Sequence, residues 1–497
     1  MKKYINKLMI VLATFGLMAL GACDDYLDIN NDPTQVVDPD PNFTLTSGII
    51  DIAYFHTDAY GLAASYWVQY VTQAGNVAGV TAQDQYQVLP GDNAYQRDFN
   101  GLYSGPIQDL VYTSEEGLVR DQTNVAAIAE LVKAYTFHSL VDMFDQVPYA
   151  QANKIDEFPN PVYDDGQDIY DDLIIKIDAA IDAIDPLSIE AVTGDIIFGG
   201  NMNRWVEFAN TLKLKIYLRQ TEARTSVAQS GVESLDGEAF LSSDALMAFD
   251  QSNPSNRHPA ELADIGTQSF NAASGTIGNH MLNTNDPRID VYFRRPIDTT
   301  DDPAPAVIPH QFIDQANGPN VTGPDAGLSY YSARGDYMIG TGSAFPYFTA
   351  TESSFLQAEA ALRGWITTGT AQEFYEQGIR DSFASAGLSG ADAWIAAEAP
   401  YPTGGTFDAQ LEAIMTAKWI ALIRQPLEMW NEWKRTGYPS TTPATPVAGQ
   451  VYIDPSPASL LPAGEFALRF PPTLTEATLN ENTPDVVSLS TPVWWDM

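Results

Sequence analysis

Apolar side chains recur along much of this chain at spacings of three and four. Ile128, Leu131, Val132 and Tyr135 share one helical face, and Phe137, Leu140, Val141 and Phe144 repeat the spacing, which predicts one long helix ending near Pro148. Tyr170, Leu173, Ile174, Ile177, Ile181 and Ile184 predict a second, closed by Pro186, and Trp205, Phe208, Ala209, Leu212 and Ile216 a third. Further on, Phe355 to Arg363 ends at Gly364, and Thr370 is placed to cap a helix over Ala371 to Ala386 that Gly387 stops. Leu411, Ile414, Met415 and Leu422 mark another helix, with a short one over Leu427 to Lys434. Helices of this length joined by short turns predict a mainly α fold of tetratricopeptide-like stacked hairpins, although the strict consensus of about 34 residues is absent.

Two long segments break the pattern, Gly75 to Gly105 and Gln251 to Phe348. The first holds Tyr86, Tyr95, Phe99 and Tyr103 among Asn, Gln, Asp and Gly. Irregular segments this long in a folded protein are functional or disordered, and their aromatic content argues against disorder. Pro439 to Pro472 reads as irregular chain near the end.

The N-terminal stretch follows a different logic. Lys2, Lys3 and Lys7 precede a charge-free apolar run, Leu8 to Leu20, in the layout of a secretory signal. The run is shorter than the about 20 residues a spanning helix needs. Leu20-Gly21-Ala22-Cys23 resembles a lipobox, so the lone cysteine is expected to become an acylated N-terminus; one thiol cannot form an internal disulfide. Three acyl chains would hold such an anchor far more firmly than one. The chain is therefore expected to divide into a signal peptide over 1–22, a lipidated acidic tether over 23–42 and one helical domain over 43–497.

Without Lys2, Lys3 and Lys7 the basic residues fall from 25 to 22 against 64 acidic ones, a balance of −42. Such a surface is a poor partner for nucleic acid, whose phosphates call for clustered Lys and Arg. Catalytic signatures are also missing. The sequence contains no Gly-Lys dipeptide, which excludes a phosphate-cradling loop, and no G-x-S-x-G nucleophile turn. His56, His138, His258, His280 and His310 lack metal-ligand spacing, so neither a metal nor another cofactor is expected. Asp28, Asn30 and Asp32 alternate like the first ligands of a calcium loop, but Pro33 occupies the position of its turning glycine and Pro39 that of its closing glutamate. Adjacent acids such as Asp164-Asp165 are expected by chance and single out no glycosidase pair.

The motifs themselves resemble a known family, the SusD/RagB-like outer-membrane lipoproteins of Bacteroidota. The likeness is spread over CDDYLDINNDP (Cys23 to Pro33), KAYTFHSLVDMFDQVPYAQA (Lys133 to Ala152), PVYDDGQDIYDDL (Pro161 to Leu173), GGNMNRWVEFANTLKLKIYLR (Gly199 to Arg219) and NDPRIDVYF (Asn285 to Phe293). It continues through ESSFLQAEAALRGW (Glu352 to Trp365), FYEQGIRDSF (Phe374 to Phe383), AKWIALIRQPLEMWNEWKRTGYP (Ala417 to Pro439) and the terminal VWWDM. Phe144-Asp145-Gln146, Gln151 and Gln425-Pro426 depart from the usual pattern at structural positions.

The resemblance implies a helical tetratricopeptide-like scaffold with long loops forming a ligand face. It implies a non-catalytic lipoprotein of the cell surface that captures an oligosaccharide or a peptide and passes it to a SusC-like TonB-dependent transporter, acting as its lid. A lipid-anchored glycoside hydrolase is the alternative. Exposed aromatic rings stack on sugar C–H faces while amides and carboxylates supply directional hydrogen bonds. On that chemistry the expected ligand contacts are Asn76, Asp84, Tyr86 and Tyr95 in the first long segment and Asn320, Tyr330 and Tyr331 in the second.

Overall fold

The computed structural model describes residues 38–75, 81–249, 257–259, 270–296, 308–321, 330–340 and 343–496. The chain enters through Asp40, whose carboxylate accepts from Asn42 N at 2.9 Å, and Pro41, whose fixed φ suits a first helical position. Helix α1 (Pro41–Thr57) and α2 (Ala59–Trp67) follow, then α3 (Asn93–Leu102), α4 (Gln108–Val119), α5 (Thr123–Phe144), α6 (Gly166–Ala183), α7 (Met202–Arg219) and α8 (Thr225–Glu233). After α9 (Gly275–Asn283) come α10 (Ala350–Leu362), α11 (Ala371–Ser385), α12 (Ala391–Glu398), α13 (Phe407–Ala421), α14 (Pro426–Thr436) and α15 (Leu474–Leu479).

Successive helices pack as antiparallel hairpins, α4 on α5, α5 on α6, α7 on α8 and α10 on α11, which is the tetratricopeptide-like stacking expected from the apolar periodicity. Central to them is α5, in which only Thr123, Glu130 and Lys133 escape burial; a helix covered on every side belongs in a core. The predicted caps are in place. Thr370 and Glu373 form a reciprocal capping box at the start of α11, and Gly387 beyond its end has φ 71°.

The segment from 75 to 105 is only partly irregular. Its second half forms α3, because Tyr95, Phe99 and Leu102 recur at helical spacing behind the Asp92 cap and bury one stripe. A π-helical turn, Tyr103–Ile107, then carries Pro106, which has no N–H to continue an α-helical ladder. The second segment likewise contains α9 and short strands. Strands are few: β1 (Val71–Gln73) pairs with β5 (Asn271–Ala273), β2 (Val147–Pro148) with β3 (Tyr163–Asp164), β4 (Ala245–Ala248) with β8 (Ala344–Phe348) and β6 (Phe293–Arg294) with β7 (Ala333–Arg334), all antiparallel.

A buried ionic network ties the helices together. Arg435 of α14 donates to both oxygens of Glu359 on α10 at 2.8 and 2.6 Å, and its Nη2 also reaches Glu432 at 2.9 Å. Arg219 of α7 grips both Glu428 oxygens at 2.8 and 2.9 Å and pairs with Glu432 and Asp142. Lys215 pairs with Glu352 at 2.5 Å, and Lys418 with Glu432 at 2.9 Å. Burial alone would raise the Glu432 carboxyl, but Arg435, Lys418 and Arg219 outweigh it and hold it well below the ordinary carboxylate range. The C-terminal segment docks on this centre, with Trp495 Nε1 donating to Asp142 Oδ1 at 2.9 Å and Trp494 N to Asp145 Oδ1 at 2.7 Å.

Candidate functional site

The fold brings the two long segments together. Val71 lies opposite Ala273 in the β1–β5 ladder, and Ala74 N extends the pairing by donating to Phe270 O at 2.9 Å. Gly275 N donates to Ile313 O at 2.7 Å, Ala273 N to Ser332 O at 2.9 Å and Ser332 N to Gln311 O at 2.7 Å. Residues 71–75, 270–275, 308–321 and 330–334 thus form one platform.

Asp84 pins that platform from beneath. Its side chain is 0% exposed and accepts from Thr72 Oγ1 at 3.2 Å, Gln73 N at 3.2 Å and Gln315 Nε2 at 2.6 Å, so one carboxylate holds both segments. Ala316 N closes the joint on Thr72 Oγ1 at 2.9 Å. Burial pushes the Asp84 carboxyl up to about 6, and the hydrogen bonds from Gln73, Gln315 and Thr72 restrain the rise. The approach is close: a Cβ on Gly318 would lie 2.3 Å from Gln73 O, so only glycine fits there. Gln69, Tyr86 and Ala316 take φ of 59°, 52° and 58°, left-handed conformations that cost free energy in non-glycine residues and gather at functional sites.

Beside the platform lies a polar cleft of about 360 Å³, whose walls include Thr276, Asn279 and Asn283 of α9, Asp314 of the second segment, and Gln450 and Tyr452 from the C-terminal chain. Asn279 and Asn283 are exposed and one helical turn apart, so both amides face outward together. The His280 imidazole is driven by burial down to about 4 and is neutral at pH 7. Phe270, 51% exposed, stands at the edge of β5. The arrangement offers neutral donors and acceptors, one carboxylate and an aromatic face, which suits a hydroxyl-rich ligand.

The residues expected from sequence to contact ligand separate into groups. Cys23 and Asn76 lie outside the described residues. Tyr86 is 3% exposed, its hydroxyl accepts from Ser456 N at 3.0 Å and its ring meets Trp67 edge-on at 6.3 Å. Tyr95 is 5% exposed on α3, packed 5.1 Å from the Tyr60 ring and 6.0 Å from that of Phe470. Neither presents a face for stacking, because each fills the apolar core beneath the segment that carries it. Asp84 is likewise covered and acts by positioning the platform. Asn320 is exposed, with Nδ2 donating to Asn317 Oδ1 at 2.8 Å. Tyr331 is half-buried against Ala74, Ala272 and Ile313, and Tyr330 is half-buried beside it. Platform and cleft therefore join Asp84, Asn320, Tyr330 and Tyr331.

Sequence reasoning passed over Phe270, Asn279, Asn283, Asp314 and Gln450. For the two asparagines a signal existed in their i, i+4 spacing, but helix-poor neighbours such as Gly275, Thr276 and Gly278 hid the helix that aligns them.

Known proteins place this architecture. A family model described as starch-binding and associating with the outer membrane matches residues 32–452. Comparison with curated proteins gives no match. Among solved structures, a chitin-binding protein matches with a TM-score of 0.73 and 22% identity, over 92% of this chain and 100% of its own. A chitin-binding SusD homolog from Flavobacterium johnsoniae gives 0.72 and 22%, over 92% and 97%, and a SusD-like protein from Bacteroides thetaiotaomicron 0.73 and 23%, over 92% and 99%. At these identities the structural likeness is one of fold, and the family is shown by the sequence model spanning most of the chain. This chain belongs to the SusD/RagB-like family.

Proposed function

We propose that this protein is a non-catalytic lipoprotein, anchored through acylated Cys23 at the cell-surface side of the outer membrane. There it captures an extracellular glycan and passes it to a partner SusC-like TonB-dependent transporter, over which it acts as a lid. One observation carries the reading: Asp84 and Gln315 lock two long segments into a fixed platform beside an amide-lined cleft. Fixing loops before the ligand arrives lowers the ordering cost of binding. Asn279, Asn283, Asp314 and Asn320 supply the hydrogen bonds, with Phe270, Tyr330 and Tyr331 as aromatic neighbours. Relatives named for chitin binding and a family described as starch-binding favour a carbohydrate over a peptide. Glycoside hydrolysis uses two carboxyl groups about 5 to 9.5 Å apart, and among the described residues lining this cleft Asp314 is the one carboxylate.

The test is calorimetric titration of the full chain with malto- and chito-oligosaccharides, together with a reducing-end assay on the parent polysaccharides. Saturable heat without new reducing ends is expected. Asn279→Ala should weaken binding about five- to tenfold, the worth of one net hydrogen bond, at an unchanged melting temperature. Heat from none of the sugars, or release of reducing ends, refutes the reading. Metabolic labelling with a tagged fatty acid should mark the wild type and not Cys23→Ala; a wild type that takes up no label would refute the anchor.

A further inference from the structure

A second cleft, sharing no lining residue with the first, lies between the π-helical turn at 103–107, the chain from 148 to 161 and α15. Its volume is about 570 Å³, and it adjoins another of about 740 Å³ with which it shares Gln108, Ala152, Asn153, Lys154 and Ile155. Both volumes fall within the range of about 300 to 1,000 Å³ found for small-molecule sites. The floor combines Tyr103 and Phe158 with Pro148, Pro159 and Pro161, all apolar and rigid.

The polar lining is dominated by neutral amides: Asn100, Gln108, Gln151, Asn153, Asn160 and Asn480. Asn153 sits at φ 57° with Nδ2 donating to Tyr103 O at 2.7 Å and Gln108 Oε1 at 2.9 Å, which fixes its amide. Its Oδ1 is then left buried with no donor among the described residues, and so is Asn100 Oδ1. Buried acceptors without partners are costly; both atoms are covered, so a ligand hydroxyl pairs with them only as the cleft wall opens. In the 570 Å³ cleft the charged side chains are engaged, Lys154 Nζ with Ala150 O at 3.0 Å and Glu476 Oε2 with the Tyr163 hydroxyl at 3.0 Å, whereas the adjoining cavity sets Glu115, Glu130, Asp156 and Glu157 against Lys133 and Lys176, an excess of acid. An anionic ligand gains nothing here, whereas paired hydroxyls and C–H faces match the amides and the ring and proline floor. The adjoining cavity continues past Asn153, so the site suits a chain of several sugar units.

We propose that this double cleft is a second binding site, separate from the platform, which takes an uncharged oligosaccharide. The experiment is hydrogen exchange on the full chain with maltohexaose, cellohexaose, xylohexaose and chitohexaose in turn, each beside its monosaccharide. At least one hexasaccharide should slow exchange over 99–104 and 150–161, and its monosaccharide should not. Ser104 is exposed on the rim, and Ser104→Trp should fill the cleft and abolish that protection while leaving any protection over 270–283 intact. Asn160→Ala, also exposed, should weaken the effect several-fold without touching the core, which keeps the test valid if Ser104→Trp fails to fold. The proposal is overturned if none of the four sugars protects 99–104 and 150–161, if protection there survives both substitutions, or if an acidic oligosaccharide or a peptide protects these segments better. Protection at 270–283 reports on the platform alone, so the two sites fail or succeed separately.

Discussion

The joint between the two segments should loosen as pH rises, and Asp84 should be the cause. Its carboxyl is raised from the ordinary 3.8 to about 6, with burial as the largest contribution. The ionised form is therefore disfavoured in the folded platform by ~3 kcal/mol, on the order of a hundredfold. The sign follows from linkage: between pH 4 and 6 the open state has lost its proton while the closed state keeps it, so the closed platform is most stable below pH 4 and loses that advantage by pH 6 to 7. The amides of Gln73 and Ala316 report on it directly, since the first donates to Asp84 and the second to Thr72 Oγ1 in the same joint. Native-state hydrogen exchange, divided by intrinsic rates, should show their protection falling about a hundredfold from pH 4 to 7. Asp84→Asn cannot titrate and should make protection at both amides independent of pH. Wild-type protection that does not change with pH, or an unchanged slope in Asp84→Asn, would refute the reasoning.

Three further outcomes are expected. Tyr86→Ala should lower the melting temperature and cost ~3–5 kcal/mol of stability in chemical denaturation, as for other buried aromatic truncations; an unchanged midpoint with weakened sugar binding would mean that the ring meets ligand. Arg435→Ala should cost ~3–5 kcal/mol by leaving Glu359 and Glu432 uncompensated, and Arg435→Lys should rescue little because a point charge cannot grip Glu359 at both oxygens; wild-type stability in either would overturn this role. Burial lowers His56 and His138 to about 4, so the unfolded chain takes up their protons first, and global stability should fall as pH drops from 6.5 to 4, by ~3 kcal/mol for each imidazole. Unfolding midpoints at pH 4.5 and 7 check this, and His56→Gln should reduce the slope; equal slopes would count against it.

The helices were legible where burial and apolarity coincide. The stripes of α5, α6 and α7 announce themselves because most of their buried positions are apolar, and Thr370 and Gly387 mark the ends of α11 by chemistry that needs no partner. α3 shows the opposite case. Tyr95, Phe99 and Leu102 had helical spacing, but Asn93, Asn100 and Gly101 are weak helix formers, and tertiary burial overrode propensity. The ionic centre was illegible for a related reason. Glu428, Glu432 and Arg435 fall at i, i+4 and i+7 on α14, a spacing that reads as a solvated outer face until Glu359, Arg219 and Lys418 arrive from three other helices.

The same reversal governs the candidate site. Tyr86 and Tyr95 were sought outside as stacking faces in a polar segment, and Asp84 as a hydrogen-bonding carboxylate, yet all three lie inside. A polar residue enters the interior only where hydrogen-bond partners await it, and those of Asp84 include Gln315, far along the chain. Side chains join the platform to the helical scaffold: Tyr66 OH donates to Asn271 Oδ1 at 2.7 Å and Gln315 Nε2 to Tyr66 O at 3.4 Å. None of these belongs to the ionic centre. Substitutions at Asn320, Asn279 or Asp314 therefore leave both the joint and the helical core intact, so this fold can change what it holds without changing what holds it together.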